Sequence, residues 1–415
     1  MKKYITKIDA ILVNTEKKVS IDLQGKNLII TGGNGCGKTQ FLNQIFSHLK
    51  VRLNSNQQQQ YKNQLSQVLK NQNALNTPNL NSLQEKNYQT NIDNLLVQIN
   101  RHLHHNDCHI ELNDMDDVTE KVLQKKLLLR LYTATRQYGG LARNNQNETV
   151  LSMQQTAQNQ DLLQDSSITF ESYLVTYLNA GYMAYVLRKD EEEKNKVDAW
   201  LEVITSDLRY LFEDETLVLE YKEKEKIFYV NQKGKTPFTF SQLSSGYSSI
   251  LNIYADLLMK VELRGITAKE LSGIAIIDEI DAHLHVSLQK KILSFLDNAY
   301  PNVQFIVSTH SPFVIQSVDN AVIYDLSRLE QLEDLSMYSY EAITKGLLGV
   351  KTTSNSLDDL VSELSKLTPE IESNKARIES LVAMLSTNES ELDSRSKVVL
   401  LMGKQAILDS DLKGE

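Results

Sequence analysis

The chain has 415 residues, of which 41% are hydrophobic and 23% are charged, a composition that is ordinary for a folded globular protein and excludes wholesale disorder. The formal net charge is −9, so the surface as a whole repels phosphate backbones, and a nucleic-acid site would require a local basic patch. Two cysteines cannot form a disulfide framework, and no uncharged apolar run reaches about 18 residues. We therefore expect a cytoplasmic chain without a membrane anchor.

The N-terminal segment has strand patterns that lead into a glycine-rich turn. Apolar and polar residues alternate between Ile5 and Leu23, which predicts an antiparallel N-terminal sheet. The uninterrupted run Asn27–Thr31 predicts a buried strand. Beyond the turn, apolar residues at helical spacing predict a helix over Thr39–Leu49.

A polar segment follows this helix. From about Asn54 to Asn100 the sequence is rich in Asn and Gln, yet apolar residues recur at helical spacing, which predicts a helical insertion rather than a flexible linker. A second helical stretch is predicted around Val122–Leu131, and a polar loop over Asn144–Asp165. We assign residues 51–164 to a mostly helical insertion.

Alternating helices and strands return after the insertion. An apolar face between Val197 and Leu211 predicts a long helix. Strand patterns follow at Leu217–Tyr221, Ile227–Tyr229, Gly273–Ile277, Val303–Val307 and Ala321–Tyr324. Strands separated by helices at this spacing predict an α/β fold with a mostly parallel, doubly wound sheet. The head of the protein is thus expected to comprise residues 1–50 and 165–345.

The strongest motif lies between the first buried strand and its helix. It reads Gly32-Gly33-Asn34-Gly35-Cys36-Gly37-Lys38-Thr39, a complete G-x-x-x-x-G-K-T. Such a P-loop turns tightly, so that backbone N–H groups and the helix N-terminus surround phosphate groups. Lys38 is expected to reach the β- and γ-phosphates, and Thr39 to bind Mg²⁺. The alternative, a chance glycine-rich turn, is disfavoured by the strand and helix on either side.

Two acidic residues, Asp278 and Glu279, follow the apolar run Ile274–Ile277. An apolar strand cannot bury carboxylates cheaply, so they should emerge at the edge where α/β sheets bind ligands. Asp278 is expected to hold Mg²⁺ through its water shell, and Glu279 to orient and deprotonate the attacking water. Alone, an acid after a strand is usually a solvated strand end, but the P-loop favours the functional interpretation.

Two further motifs complete the set. The first opens a predicted helix and reads Leu243-Ser244-Ser245-Gly246. The second ends the strand after the acid pair and reads Ser308-Thr309-His310-Ser311-Pro312. A serine and glycine at a helix N-terminus can bind an anion, although alone they would form only an N-cap. A neutral His310 could sense the γ-phosphate, whereas a lone histidine is more often structural.

The order of these four motifs resembles the ATPase heads of the ABC superfamily. The stretch Asp278–His285, DEIDAHLH, resembles the version shared by overcoming-lysogenization-defect nucleases, RecF-like repair ATPases and the AAA-type ATPases of Septu and retron anti-phage systems. The resemblance covers residues 1–50 and 165–345 and implies ATP and Mg²⁺ as cofactors. It also implies a homodimer or higher even oligomer, in which Ser244 of one protomer completes the partner's ATP site. Asp281 would lie where the protomers meet, and His310 would be the switch histidine.

Three departures from the family pattern predict a slow, switch-like ATPase. Tyr247 stands where Glu or Gln is common, and Ile280 replaces the usual proline. The glutamine of the Q-loop cannot be assigned, because glutamines crowd the insertion.

Two weaker patterns lie outside the head. The histidine-rich stretch His102–His109 matches no zinc spacing and is interpreted as a polar loop or partner surface, with a metal site as the alternative. In the tail, residues 346–415, apolar residues recur every seven positions at Ile371, Ile378, Leu385 and Leu392. Such a stripe usually packs within its own domain, but its position makes the tail the first candidate for docking a partner.

The function favoured by the resemblance is an ATP-hydrolysing regulatory subunit of an anti-phage defence complex. Its ATP-closed dimer would control a separate effector such as an HNH nuclease, and a retron reverse transcriptase with its nucleic acid would be a further partner. The alternative is a RecF/SMC-like DNA-repair ATPase that clamps DNA, which would require a basic groove.

Overall fold

The computed structural model shows two compact units, Met1–Tyr338 and Ser339–Glu415. The residues that it describes are 4–76, 80–105, 107–139, 148–158, 162–332, 340–346, 355–387, 389 and 392–414. Among the helices in these ranges, none combines the length and the apolar character needed to cross a bilayer.

The larger unit contains strands in three sheets together with helices that cover them. Its strands are β1 (Ile5–Ile11), β2 (Lys18–Asp22), β3 (Asn27–Thr31), β4 (His104–His105), β5 (Cys108–Leu112), β6 (Leu127–Tyr132), β7 (Val218–Lys222), β8 (Ile227–Asn231), β9 (Phe238–Thr239), β10 (Ser272–Ile277), β11 (Val303–Ser308), β12 (Ala321–Asp325) and β13 (Glu330–Leu332). Its helices are α1 (Lys38–Arg52), α2 (Ser55–Leu75), α3 (Ser82–Leu103), α4 (Met115–Leu123), α5 (Val150–Gln158), α6 (Phe170–Arg188), α7 (Glu191–Phe212), α8 (Ser245–Glu262), α9 (Val286–Gln289), α10 (Ile292–Ala299) and α11 (Pro312–Ile315).

The central sheet has the strand order β13-β12-β3-β11-β10-β6. Every neighbouring pair is parallel except β12 and the edge strand β13. The strands β3, β10 and β11 are buried along their whole length, as expected for parallel strands covered on both faces. The predicted mostly parallel sheet is confirmed, and β3 lies between two strands from the distant end of the head.

Two antiparallel sheets accompany the central one. The first has the order β2-β1-β5-β4 and confirms the predicted N-terminal sheet, whose apolar face packs with the P-loop helix α1 in one core. The second is a small meander of β7, β8 and β9, which leads into α8. The P-loop helix α1 is therefore held between two sheets.

The predicted helix over Val122–Leu131 is wrong. The helix α4 ends at Leu123, and Leu127–Tyr132 forms β6, which pairs in parallel with β10 along its whole length. A short leucine-rich segment, here interrupted by Arg130, fits either a buried strand or a helix, and pairing with the hydrogen-bonding edge of β10 decides in favour of the strand.

The predicted insertion, residues 51–164, is less uniformly helical than the sequence indicated. The helices α2 and α3 pack along each other around Val68, Ile92 and Ile99, as expected for a polar helical pair. However, β5 and β6 join the two head sheets, and α5 occupies part of the predicted loop Asn144–Asp165. The rest of the predicted loop falls partly on residues 144–147 and 159–161, outside the described residues.

The smaller unit is helical. Its helices are α12 (Tyr340–Gly346), α13 (Asn355–Leu367), α14 (Ile371–Ser386) and α15 (Ser394–Gly414). The heptad residues Ile378, Leu385 and Leu392 are buried in the core of this unit, with Ile371 packed against it. The stripe therefore packs within its own unit and is not available to a partner.

A different apolar face of the smaller unit is exposed. It lies on α15 and is formed by Val398, Leu401, Met402 and Leu408. The spacing of these residues places them on one side of the helix. We call this set the α15 face.

Gly273 sets how closely β6 and β10 approach. Its φ is 142°, and a Cβ added there would lie 2.1 Å from the carbonyl oxygen of Leu128. We expect Gly273→Ala to lower the free energy of unfolding by about 2–4 kcal/mol, because backbone atoms cannot yield as a flexible side chain can. The measurement is urea denaturation followed by circular dichroism.

The matched control is Gly234→Ala, where φ is 79° but a Cβ would meet nothing within 4 Å. Backbone strain alone should cost about 1–2 kcal/mol there. Equal losses for the two variants would show that close packing of β6 on β10 has no part in the effect.

Candidate functional site

Four loops meet at the carboxyl edge of the central sheet. In the strand register, Ile277 at the end of β10 pairs with Val307 and Tyr132, and Ser308 at the end of β11 pairs with Ile30. Four segments therefore emerge together: the P-loop after β3, the segment 133–138 after β6, the acid turn Asp278–Ile280 after β10, and the motif Ser308–Pro312 at the end of β11, which we call the switch motif. This edge is where α/β sheets bind ligands.

The P-loop requires glycine at two positions for distinct reasons. Gly37 precedes α1 with a left-handed φ of 98°. At Gly32, where φ is 136°, a Cβ would lie 2.8 Å from Ser327 Oγ and 2.9 Å from Cys36 Sγ. The loop is thus wrapped tightly from both sides, which leaves its backbone amides close together.

Lys38 is buried within the loop that it follows. Its Nζ donates to the carbonyl oxygens of Gly32 at 3.1 Å and Gly33 at 3.2 Å. The backbone N–H of Gly33 donates in turn to Ser327 Oγ at 2.8 Å. A cation is consequently fixed at the centre of a loop of backbone dipoles, an arrangement suited to a polyphosphate.

The Asp278 carboxylate joins three of the loops. Thr39 Oγ1 donates to Asp278 Oδ2 at 2.8 Å, and Ser308 Oγ donates to Asp278 Oδ1 at 2.5 Å. The hydroxyl of Ser308 also accepts from the backbone N–H of Glu279 at 2.8 Å. Thr39 and Asp278 bring a hydroxyl and a carboxylate oxygen to one point, and such hard oxygen donors suit Mg²⁺. The predicted metal residues therefore fit that ion.

Glu279 occupies an unusual position on the acid turn. It is partly exposed, and its φ of 46° lies in the left-handed region that side chains other than glycine rarely adopt. Backbone strain of this kind is concentrated at functional sites. The turn thus places a carboxylate at the open edge of the sheet.

Arg136 is a site residue that the sequence analysis missed. It follows β6, where the sequence pattern predicts a helix, so the pattern does not predict that Arg136 reaches the acid turn. Its guanidinium donates to the carbonyl oxygens of Asp278 at 2.7 Å, Glu279 at 3.2 Å and Ile280 at 3.4 Å. A lone arginine directly after a buried strand was the only available signal.

Asp281 is bonded to the switch motif of its own chain. Thr309 Oγ1 donates to Asp281 Oδ1 at 2.6 Å and accepts from the backbone N–H of Ser311 at 2.9 Å. The predicted position of Asp281 between protomers stays a prediction, while the structure shows it connecting two loops of one site.

His310 lies close to both signs of charge. Burial lowers its pKa, and so does the positive charge of Lys38, whereas Asp281, Glu279 and Asp278 act in the opposite direction. The net effect favours the neutral imidazole at pH 7, which can both donate and accept a hydrogen bond.

The motif Leu243–Gly246 at the start of α8, which we call the signature motif, has exposed serines and a buried glycine. Ser244 and Ser245 are exposed, and Ser244 caps α8 without a side-chain hydrogen bond to the helix. At Gly246, a Cβ would lie 2.4 Å from the carbonyl oxygen of His283, so glycine lets the chain after the acid turn pack on α8. Within the described residues, no hydrogen bond joins the two serines to the P-loop of the same chain.

The histidine-rich stretch lies largely outside the side chains that the structure describes. The side chains of His102, His104 and His105 fall outside the described residues. In β5, His109 Nε2 lies 4.0 Å from Glu111 Oε1. Among the side chains that can be described, no group of three or more His, Cys, Asp or Glu could hold a metal ion.

We expect His310 to titrate below its ordinary pKa of 6.5, because the fold disfavours the protonated form. Its contribution to stability is then fully present above the unfolded-state pKa and is lost as the pH falls. The measurement is an NMR titration of labelled histidine, assigned with His310→Gln. Lys38→Met should raise the midpoint, and a midpoint at or above 6.5 in the parent protein would contradict the described environment.

Comparison with known proteins agrees with this geometry. Residues 127–316 match the family model described as "AAA domain, putative AbiEii toxin, Type IV TA system". The matched segment includes the signature motif, the acid turn and the switch motif, and it begins after the P-loop.

Named relatives share stretches of this region. The chain is 38% identical over 95 residues to the retron Ec83 probable ATPase of Escherichia coli, covering 22% of this chain and 18% of that protein. It is 31% identical over 151 residues to the Septu protein PtuA of Bacillus mycoides (strain KBAB4), covering 36% and 20% respectively. For the retron Vc95 probable ATPase of Vibrio cholerae serotype O1 biovar El Tor the identity is 36% over 101 residues, covering 24% and 20%. The matches thus span about a fifth of each relative's length.

Among solved structures, the chain matches an SMC head bound to the C-terminal winged-helix domain of ScpA. The identity is 14%, the coverage 78% of this chain and 94% of that chain, and the TM-score 0.35. Residues 127–316 are thus similar to an AAA-type ATPase domain, and stretches of the chain are similar to the ATPases of Septu and retron systems.

Proposed function

We propose that this protein binds and hydrolyses ATP as the regulatory subunit of an anti-phage defence complex, and that it closes as a dimer around Mg·ATP. The observation that carries the proposal is the Asp278 carboxylate bonded to both Thr39 and Ser308, which unites the P-loop, the acid turn and the switch motif. The retron and Septu names of the relatives support the defence context.

Each residue of the site has a role in hydrolysis. Lys38 neutralises the β- and γ-phosphates, and Thr39 and Asp278 hold Mg²⁺, which supplies charge stabilisation at the phosphate oxygens. Glu279 orients the attacking water and accepts its proton, since it is the partly exposed carboxylate of the acid turn. His310, as a neutral imidazole, donates to the γ-phosphate.

An open cavity beside the P-loop helix provides room for the base and ribose. It has a volume of about 820 Å³ and is bounded by the turn between β1 and β2 and by Gln40, Asn43 and Ser47 on α1. Amide and hydroxyl side chains can hydrogen-bond the ring nitrogens of adenine and the ribose hydroxyls.

The dimer proposal rests on the signature motif. Ser244 and Ser245 are exposed at the positive end of α8, where they can contact an anion bound by a second copy. Gly246 fixes that helix against the chain after the acid turn, so a change at the acids can move the signature motif. Two chains arranged head to tail would then complete each other's ATP sites.

We further propose that the protein hydrolyses ATP slowly. Tyr247 packs its ring on Phe212 at 4.6 Å and donates from its hydroxyl to the Phe212 carbonyl at 3.3 Å, so it is bound to α7. It therefore offers no carboxylate or amide beside the signature serines. Ile280, the last residue of the acid turn, is fully buried.

We expect Glu279→Gln to reduce the rate of ATP hydrolysis by roughly 10²–10⁴-fold, because a positioned general base contributes about that much. ATP binding should persist, so the variant should accumulate as an ATP-bound dimer. Phosphate release and analytical ultracentrifugation with ATP measure the two effects.

Two further variants make this test specific. Glu223→Gln changes an exposed glutamate in the turn between β7 and β8 and should leave both readouts unchanged. Ser244→Arg in the Glu279→Gln background should retain ATP but abolish the dimer. Hydrolysis by Glu279→Gln at the parental rate would exclude Glu279 as the base, and a dimer that ignores Ser244→Arg would exclude the head-to-tail arrangement.

We propose that the effector docks on the helical tail through the α15 face, in place of the buried heptad stripe. Leu401 and Met402 are 57% and 60% exposed there, which is unusual for adjacent large apolar side chains. The effector is a separate nuclease of the HNH type, and a reverse transcriptase with its nucleic acid is a further candidate component.

We expect tagged Glu279→Gln with ATP to co-purify a nuclease from its native host, and Leu401→Glu with Met402→Glu to lose it, because buried charge opposes apolar docking. The control is Leu69→Glu, an apolar residue on α2 that is 58% exposed. Mass spectrometry identifies the proteins and the nucleic acid. Recovery of salt-sensitive bulk DNA without a protein partner would instead favour the DNA-clamping alternative.

A further inference from the structure

The guanidinium of Arg136 binds backbone carbonyls rather than carboxylates. It is 7% exposed and donates to four carbonyl oxygens, those of Thr133 at 3.1 Å, Asp278 at 2.7 Å, Glu279 at 3.2 Å and Ile280 at 3.4 Å. Three of them belong to consecutive residues of the acid turn. In the described part of the chain, no carboxylate oxygen forms an ion pair with this arginine within 4 Å.

The acid turn needs such a partner because of its shape. Successive carbonyl oxygens converge on one side of the turn, and Glu279 has a left-handed φ of 46°. Both features are unfavourable without a compensating donor. The Ser308 hydroxyl holds the backbone N–H of Glu279 from the other side. Arg136 and Ser308 therefore fix the backbone of Glu279 between them.

Arg136 is itself held in place. The backbone N–H of Tyr138, two residues later, donates to Ser248 Oγ on α8 at 2.9 Å. The backbone N–H of Asp278 donates to the carbonyl oxygen of Tyr132 at the end of β6. The segment that carries Arg136 is thus anchored at both ends, so the backbone from which its guanidinium extends is held in one position.

Burial and charge act on Arg136 in opposite directions. Burial lowers its pKa to about 10, and the nearby Asp278, Asp281 and Glu279 oppose that shift. The side chain remains cationic at pH 7. Its Nη1 and Nη2 groups donate to carbonyl oxygens and not to carboxylates, so the carboxylates of Asp278 and Glu279 stay available for the metal and for water.

We propose that Arg136 is a positioning residue for ATP hydrolysis, which holds the acid turn in the shape that presents Glu279 to the attacking water. This inference rests on the proposed function, because it assigns Arg136 an effect that is exerted through Glu279. A planar guanidinium can span several carbonyl oxygens at fixed angles, whereas the point charge of a lysine cannot.

The test is steady-state hydrolysis of ATP by the full chain carrying Arg136→Lys. We expect kcat to fall roughly 10–100-fold, since a small displacement of a catalytic group costs about that much. The KM for ATP should change less than about twofold, because the P-loop is untouched. When Arg136→Lys is added to Glu279→Gln, it should lower the remaining kcat less than about twofold, because the residue through which Arg136 acts is already inactive.

The matched control is Arg52→Lys. Arg52 is 8% exposed, burial lowers its pKa, and it donates to the carbonyl oxygen of Ile110, away from the acid turn. Arg52→Lys should lower the free energy of unfolding in urea about as much as Arg136→Lys does, but its kcat should equal that of the parent protein. This comparison separates positioning of Glu279 from general support of the fold.

The outcomes distinguish this inference from the proposed function. If the parent protein does not hydrolyse ATP, or if Glu279→Gln hydrolyses it normally, the proposed function fails. If Glu279→Gln is impaired but Arg136→Lys retains kcat, or if the two losses multiply in the double variant, the positioning role alone fails. Failure of both Arg136→Lys and Arg136→Gln to fold would also overturn it, because the arginine would then be purely structural.

Discussion

The arrangement of the site depends on one buried carboxylate. Asp278 is 4% exposed and would be costly to bury without donors, yet two hydroxyl groups, from Thr39 and Ser308, donate to its two oxygens. One hydroxyl comes from the first turn of α1 after the P-loop, and the other from the end of β11. Any displacement of the P-loop, the acid turn or the switch motif therefore leaves a buried charge with an unmade hydrogen bond. The energetic penalty of that loss keeps the three loops in one geometry.

The opposite end of the same strands is fixed by buried amides. Gln304 accepts from the backbone N–H of Ile5 and donates to the carbonyl oxygens of Ile5 and Lys26. Asn27 accepts from the backbone N–H of Phe305 at 2.9 Å. Charged hydrogen bonds at one edge and amide hydrogen bonds at the other thus set the register of β3 and β11. The apolar interior of the strands supplies burial, but it would tolerate a shift that these polar contacts do not.

The sequence predicted which motifs meet at the carboxyl edge of the central sheet, because these motifs depend on local order. Local order alone predicts the same structure for a glycine-rich turn between a strand and a helix, and for acids after an apolar strand, whatever the rest of the chain does. It failed at β6 because Leu127 to Leu131 is a short leucine-rich segment, interrupted by Arg130, that has no clear period, and only the neighbouring strand β10 decides its state. Arg136 was missed for the same reason. The heptad stripe had the correct period, but period alone does not say whether Ile378 and Leu385 pack on their own unit or on another protein.

The position of β3 between β11 and β12 has a consequence for how the protein folds during its synthesis. A ribosome releases the P-loop early, but both hydrogen-bonding neighbours of its strand are among the last elements of the head to be synthesised. Pairings across such sequence distances are slow to form and leave an unpaired strand edge until they do. A nascent chain therefore carries the phosphate-binding sequence long before it carries a phosphate-binding site. The contacts of Asp278 with Thr39 and Ser308 can therefore form only after the last strands of the head have been made and have paired.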